Sequence, residues 1–219
     1  MLIFFTILIM LIVAYAEFRE GIFTAFTMLV NVILAGLIAF NFWEPLAELL
    51  DSSLRDSFLD GYQDLFLLIT LFCVSPGLLR AATNNLANKQ IAFPAVLQQF
   101  GAAGIGLLIG YLVTGFLLCA LQTLPWHRNF MDFEPRSRNE GDMRRLLPPD
   151  RVWLALMHYA GANGFARSAD NEAADSPFDR YPTFDRSGTF ELRYWRYRRY
   201  SDKEGPMPYH GELDQELKK

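Results

Sequence analysis

Four apolar stretches separated by short polar ones make up the first 125 residues. Leu2–Ala16 (LIFFTILIMLIVAYA) and Gly21–Trp43 carry no charge. Tyr62–Leu79 has Asp64 near its start and Pro76-Gly77 near its end, and Ile91–Trp126 is again uncharged. At 1.5 Å per helical residue, the second and fourth stretches are long enough for a hydrocarbon core of about 30 Å. The first is short for that task. Lipid offers backbone groups no hydrogen-bond partner, so each stretch is predicted to be helical. A core helix of a soluble protein keeps a polar face, and the second and fourth stretches have none.

Between stretches two and three, Leu46, Leu49, Leu50, Leu54 and Phe58 recur at helical spacing in EPLAELLDSSLRDSFLDG. That pattern predicts a short helix lying at the interface, with Glu44, Glu48, Asp51, Asp56 and Asp60 on its solvated side. Beyond residue 126 the pattern changes. Residues 127–149 mix charge, Pro and Gly without period and read as a linker. In Arg151–Arg167, Val152, Leu156, Tyr159 and Asn163 share one side with Trp153, Met157 and Ala160 adjacent. This predicts an amphipathic helix capped by Asp150. Asp185–Gly188 is a turn signal. Phe190, Leu192 and Tyr194 then alternate with polar positions, predicting a short hairpin over 184–200.

Composition and charge sharpen this division. The 219 residues are 52% hydrophobic, with a formal net charge of −4. All of that net charge falls in the first 125 residues, which carry only four basic side chains, Arg19, Arg55, Arg80 and Lys89. The rest is charged, aromatic and neutral on balance. An apolar front followed by a polar rear defines a membrane domain with a water-facing extension. The acidic balance argues against a general nucleic-acid partner.

Candidate chemistry is sparse. Cys73 and Cys119 lie inside apolar stretches, and neither belongs to a CxxC or Cys/His cluster. His127, His158 and His210 are scattered and do not form a metal set. No catalytic triad order, phosphate loop or dinucleotide fingerprint occurs, so neither an enzymatic activity nor a cofactor is expected. Ala102, Gly106, Gly110 and Thr114 recur every four residues in the fourth stretch. Small residues at that spacing let another helix backbone approach closely. They predict a helix-packing seam, within the chain or in a homo-oligomer. The polar in-span residues are Asn31, Gln98 and Gln99, with Asn31 placed to hydrogen-bond across helices. No acidic or basic residue occupies the middle of a span, which argues against a coupled transporter. In the rear segment, Arg193, Trp195, Arg196, Arg198 and Arg199 interleave charge with aromatics. Contact with lipid headgroups, stacking on nucleic acid and an ordinary solvated strand all fit that pattern.

Ala14-Tyr15-Ala16 has the small-x-small form of a leader cleavage site. The stretch begins at residue 2 without a basic region, and a full span follows after only Glu17–Glu20. Residues 1–16 therefore read as a retained span, with Glu17–Glu20 as the turn of a helical hairpin.

The order of these features resembles the colicin V production protein family of bacterial inner-membrane proteins. The resemblance covers about residues 1–126. It rests on the short first span, the turn EFREG (Glu17–Gly21) and the long second span followed by FWEPLAELL (Phe42–Leu50). A third span and a glycine-stepped fourth span ending in Leu124-Pro125 complete it. The chain departs from the family where an Asp-Arg pair usually opens the fourth span, here Gln98-Gln99. It departs again at the first turn glycine, here Glu17. The resemblance implies a polytopic inner-membrane protein linked to colicin V production and cell-envelope upkeep, and it carries over no catalytic residue.

The expected fold is an all-α membrane protein with four transmembrane helices in two hairpins over 1–126. A linker (127–149) and a small α+β or partly disordered polar tail (150–219) follow. The expected partners are the lipid bilayer, a second copy of the chain and envelope proteins. A small transporter or channel formed by an oligomer is the alternative. Arg19, Arg80 and Lys89 in turns one and three, against Arg55 in the second loop, place those turns in the cytoplasm and the tail outside. Arg128, Arg136, Arg138, Arg144 and Arg145 pull the other way.

Overall fold

The computed structural model describes residues 2–54, 62–86, 94–124 and 148–163, together with Phe190 and Tyr194. These form five helices: α1 (Leu2–Glu20), α2 (Ile22–Leu54), α3 (Gln63–Leu86), α4 (Ala95–Gln122) and α5 (Pro149–Asn163). No strand occurs among the described residues. By length and composition, Ile22–Leu50, Gln63–Ala82 and Ala95–Gln122 suffice to cross a bilayer.

The first turn is tighter than expected. Helix α1 runs through Glu17–Glu20, and the chain reverses at Gly21 alone, with φ 99°. Side chains with a Cβ rarely adopt that backbone, so glycine supplies the reversal. The Gly21 amide donates to the Glu17 carbonyl at 3.1 Å, and Ala25 donates back to Gly21 at 3.0 Å. Glu17 is therefore the last turn of a helix and not part of a loop.

The second loop also differs. Helix α2 continues through Pro45 to Leu54, so the expected separate interfacial helix is, up to Leu54, the end of α2, and its remainder (55–61) lies outside the described residues. Pro45 removes one backbone donor, a loss that a long packed helix tolerates. Because α2 stays in the bundle past Trp43, Glu44 is buried and Glu48 is half-buried, where a solvated face was expected.

Helix α4 is the hub. It carries α1 on one side and α2 and α5 on the other, while α3 packs mainly on α2. The backbones of α3 and α4 stay apart, and the two helices meet through side chains. The space between them and α2 is filled by Trp153 of α5, which lies against Phe40 of α2, Phe72 of α3 and Phe116 of α4. Phe72 and Phe116 stack with centroids 3.7 Å apart and planes 13° from parallel, and the Trp153 ring meets both edge-on. Such aromatic pairs contribute about 0.5–1.5 kcal/mol each beyond their burial.

The core thus does not end at residue 126. Trp153, Met157, Phe190 and Tyr194 belong to the same apolar cluster as Phe40, Trp43 and Phe116. Phe190 and Tyr194 have helical backbone where a strand was expected. Their separation of four residues puts them on one face under either period, so alternation could not discriminate the two. They pack with rings 4.9 Å apart, and both lie on Trp43. The rest of the predicted hairpin, and the linker up to residue 147, lie outside the described residues.

Candidate functional site

Two places carry unusual geometry: the face between α1 and α4, and the slot that receives α5. The first is built by the glycine steps of α4. Ala102, Gly106, Gly110 and Thr114 are all buried. A Cβ on Gly106 would stand 2.7 Å from the Ala14 Cα, and one on Gly110 would stand 2.6 Å from the Met10 Cα. The two helices run antiparallel, with backbone against backbone. Thr114 satisfies its own hydroxyl by donating to the Gly110 carbonyl at 2.7 Å. The predicted seam is thus intramolecular, and its partner is the first helix of the same chain.

The outer side of α1 is left to the surroundings. Phe4, Leu11, Ile12 and Tyr15 are exposed large apolar side chains. In water such a row would be a liability, and in lipid it costs nothing.

At the hairpin end of the seam, Glu17 lies just past the apolar stretch of α1. Its side chain leans on Gly106, with the Glu17 Cβ 3.1 Å from where a glycine Cβ would be. The residue is 8% exposed, and among the described residues Oε2 is shielded from solvent without a hydrogen-bond partner. Burial raises the Glu17 carboxyl above the ordinary glutamic-acid value; the Glu20 carboxylate adds to this, and the Arg80 guanidinium opposes it. Arg80 of α3 donates to Glu20 Oε2 at 2.8 Å in a half-exposed ion pair. By its sequence, Glu17 belongs to the turn of a helical hairpin. Its i, i+3 relation to Ala14, on the face that meets Gly106, was the available signal.

The predicted in-span polar residues do not converge. Gln98 sits at the hairpin turn, its Nε2 2.9 Å from where a Gly21 Cβ would stand, while Gln99 is exposed. Asn31 is buried, but Nδ2 finds no acceptor among the described residues, so the expected cross-helix bond from that nitrogen is not made. Asn31 is ten positions along α2 from the Gly21 turn, about 15 Å at 1.5 Å per residue. The headgroup candidates Arg193, Trp195, Arg196, Arg198 and Arg199 lie outside the described residues.

The α5 slot was not foreseen. Pro149 opens the helix, the position where its missing N–H costs nothing. Asp150 is in the first turn and not at the cap. It is buried, and Gln122 Nε2 donates to its Oδ2 at 3.0 Å. The positive end of the α5 dipole also favours a carboxylate there. The Cys119 thiol points at the Asp150 carbonyl, 3.6 Å away. Gly115 of α4 and Gly36 of α2 make room: a Cβ on the first would collide with the Pro149 carbonyl and Trp153, and one on the second with the Trp153 ring. Gly36 is the midpoint of Ile22–Leu50. The face of α5 carrying Trp153 and Met157 therefore enters the bundle to half the depth of that span, while Tyr159 stays outside, 72% exposed. On the same side of the bundle, the Tyr194 hydroxyl donates to Asp64 Oδ2 at 2.9 Å.

Among the described residues, no group of three or more His, Cys, Asp or Glu side chains is placed to hold a metal ion.

An all-helical bundle with three span-length apolar helices, packed backbone-to-backbone on glycine steps, defines a multi-pass membrane protein. Residues 4–136, more than half the chain, match the family model for the colicin V production protein, and the chain belongs to that family. No curated protein and no solved structure matches it.

Proposed function

We propose that this chain is a four-span protein of the bacterial inner membrane. It acts in toxin production or export, or in envelope upkeep, through assembly with itself or with envelope proteins, and carries out no enzymatic chemistry of its own. Family membership supports the cellular role. The observation that carries the architecture is the α1–α4 pair. Helix α1 is joined backbone-to-backbone to a span-length helix and turns Phe4, Leu11, Ile12 and Tyr15 outward, as a fourth span would.

Because α1 already covers the glycine steps, assembly with another copy or a partner uses other apolar surfaces. The exposed Phe66, Val74 and Leu78 of α3 are one such row. The Glu20–Arg80 pair joins the first turn to the C-terminal part of α3. That agrees with the short-loop charges, which put this end in the cytoplasm and the tail outside. The transporter or channel alternative would be supported by an oligomer with Asn31, Gln98 and Gln99 facing one axis; within one chain the three do not converge.

The test is removal of the chain from its host, with release of colicin V-type toxin and tolerance to detergent measured before and after restoration. Loss of either supports the reading; no change in both overturns it. A reporter fused after Lys219 that is active only in the cytoplasm overturns the sidedness.

A further inference from the structure

We propose that Glu17 is a proton-binding site built into the α1–α4 seam. Its carboxyl binds a proton more tightly while α1 lies on α4 than when the last turn of α1 lifts away from Gly106.

The argument begins with what surrounds the group. On its own helix, Glu20 brings a like charge one turn on, and Arg19 is exposed. Helix α3 brings Arg80, whose Nη2 is engaged with Glu20 Oε2 at 2.8 Å. Helix α4 brings Gly106 and has no charged side chain anywhere in Ala95–Gln122. Helix α2 has none from Ile22 to Trp43. The α1 C-terminus adds the negative end of a helix dipole, which further disfavours a carboxylate.

An ionised carboxylate in this place would need several donors or an unshared cation. Among the described residues neither is present, and Oε2 has no hydrogen-bond partner. A neutral carboxyl carries no net charge and is far cheaper to bury. Protonation and seam closure are therefore linked. The closed seam binds the proton more tightly than the open one. Closure is at full strength below the ordinary glutamic-acid range, weakens as pH rises through the closed-state value, and then levels off. The moving part is defined by the fold. Helix α1 packs chiefly on α4 and joins α2 through the single reversing residue Gly21, so its last turn can lift without carrying α2 with it. The site stands on this geometry whether or not the toxin and envelope role holds.

The test uses the full chain reconstituted in phosphatidylcholine nanodiscs. Infrared difference spectra recorded along a pH titration should show a protonated-carboxyl band that Glu17→Gln lacks and that persists to higher pH than an ordinary glutamic acid of pKa about 4.3. Identical spectra for the two proteins overturn the proposal. The near-isosteric amide fits the same space, and two further variants guard against a misfolded one. Glu20→Gln removes the like charge and frees Arg80, so the band should titrate at lower pH. Arg80→Gln should move it higher. A midpoint that ignores both substitutions overturns the site. Amide hydrogen exchange across Ala14–Gly21, corrected for intrinsic rates, should speed up above the midpoint in the native chain and stay flat in Glu17→Gln. Exchange that is equally pH-dependent in both overturns the link to opening.

Discussion

Gly106 of α4 and Ala14 of α1 are in direct backbone contact: a Cβ on the glycine would stand 2.7 Å from the Ala14 Cα. Bilayer lipid gives apolar side chains no reason to leave it, so helix pairs in membranes depend on this kind of fit. Gly106→Leu and Gly110→Leu should therefore separate α1 from α4 within one chain. The expected loss is at least the ~1–3 kcal/mol of ordinary overpacking, because backbone atoms cannot rotate away. Unfolding in mixed micelles checks it, and unchanged stability with a changed oligomer size would point to a seam between chains instead.

Trp153 is fully buried between three helices. Trp153→Ala leaves a hole that α2, α3 and α4 cannot close without moving, at a cost of about 3–5 kcal/mol. Gly36→Ala should act from the other side, by expelling the ring from its slot. Both variants should raise protease sensitivity near the start of α5 and change tryptophan emission. If emission and cleavage match the native chain, α5 does not occupy the bundle.

Asp150 accepts from Gln122 in a buried setting. Gln122→Leu removes a donor and leaves the carboxylate short of it, with an expected loss of about 1–3 kcal/mol. Replacing both partners by apolar residues should cost less than Gln122→Leu alone, since no orphaned charge remains. A double-mutant cycle on thermal stability measures the coupling.

The Glu20–Arg80 ion pair is half-exposed on both sides. Pairs of that kind contribute about 0–1 kcal/mol. Arg80→Ala should thus leave stability within about 1 kcal/mol of native, and the small difference should shrink in high salt. A large loss in the same melting assay would show that Arg80 also supports the buried Glu17.

The four apolar stretches were legible as helices because an uncharged run leaves the chain only one way to satisfy its backbone in lipid. The four-residue steps from Ala102 to Thr114 were legible as a close-packing face for the same local reason, since spacing on a helix is a property of the helix alone. Which helix would fill that face was not local. The choice between α1 and a second copy depends on the single-residue reversal at Gly21, which swings α1 back within reach. Glu17 looked like a turn residue because its charge fits water. Only the α1–α4 contact turned it inward. Trp153 and Met157 looked like one side of a surface helix, and nothing in their spacing reveals the gap that α3 and α4 leave beside α2. Periodicity records how a segment divides its own faces; burial depends on which partner the rest of the chain brings to each face, and that is decided at a distance along the sequence.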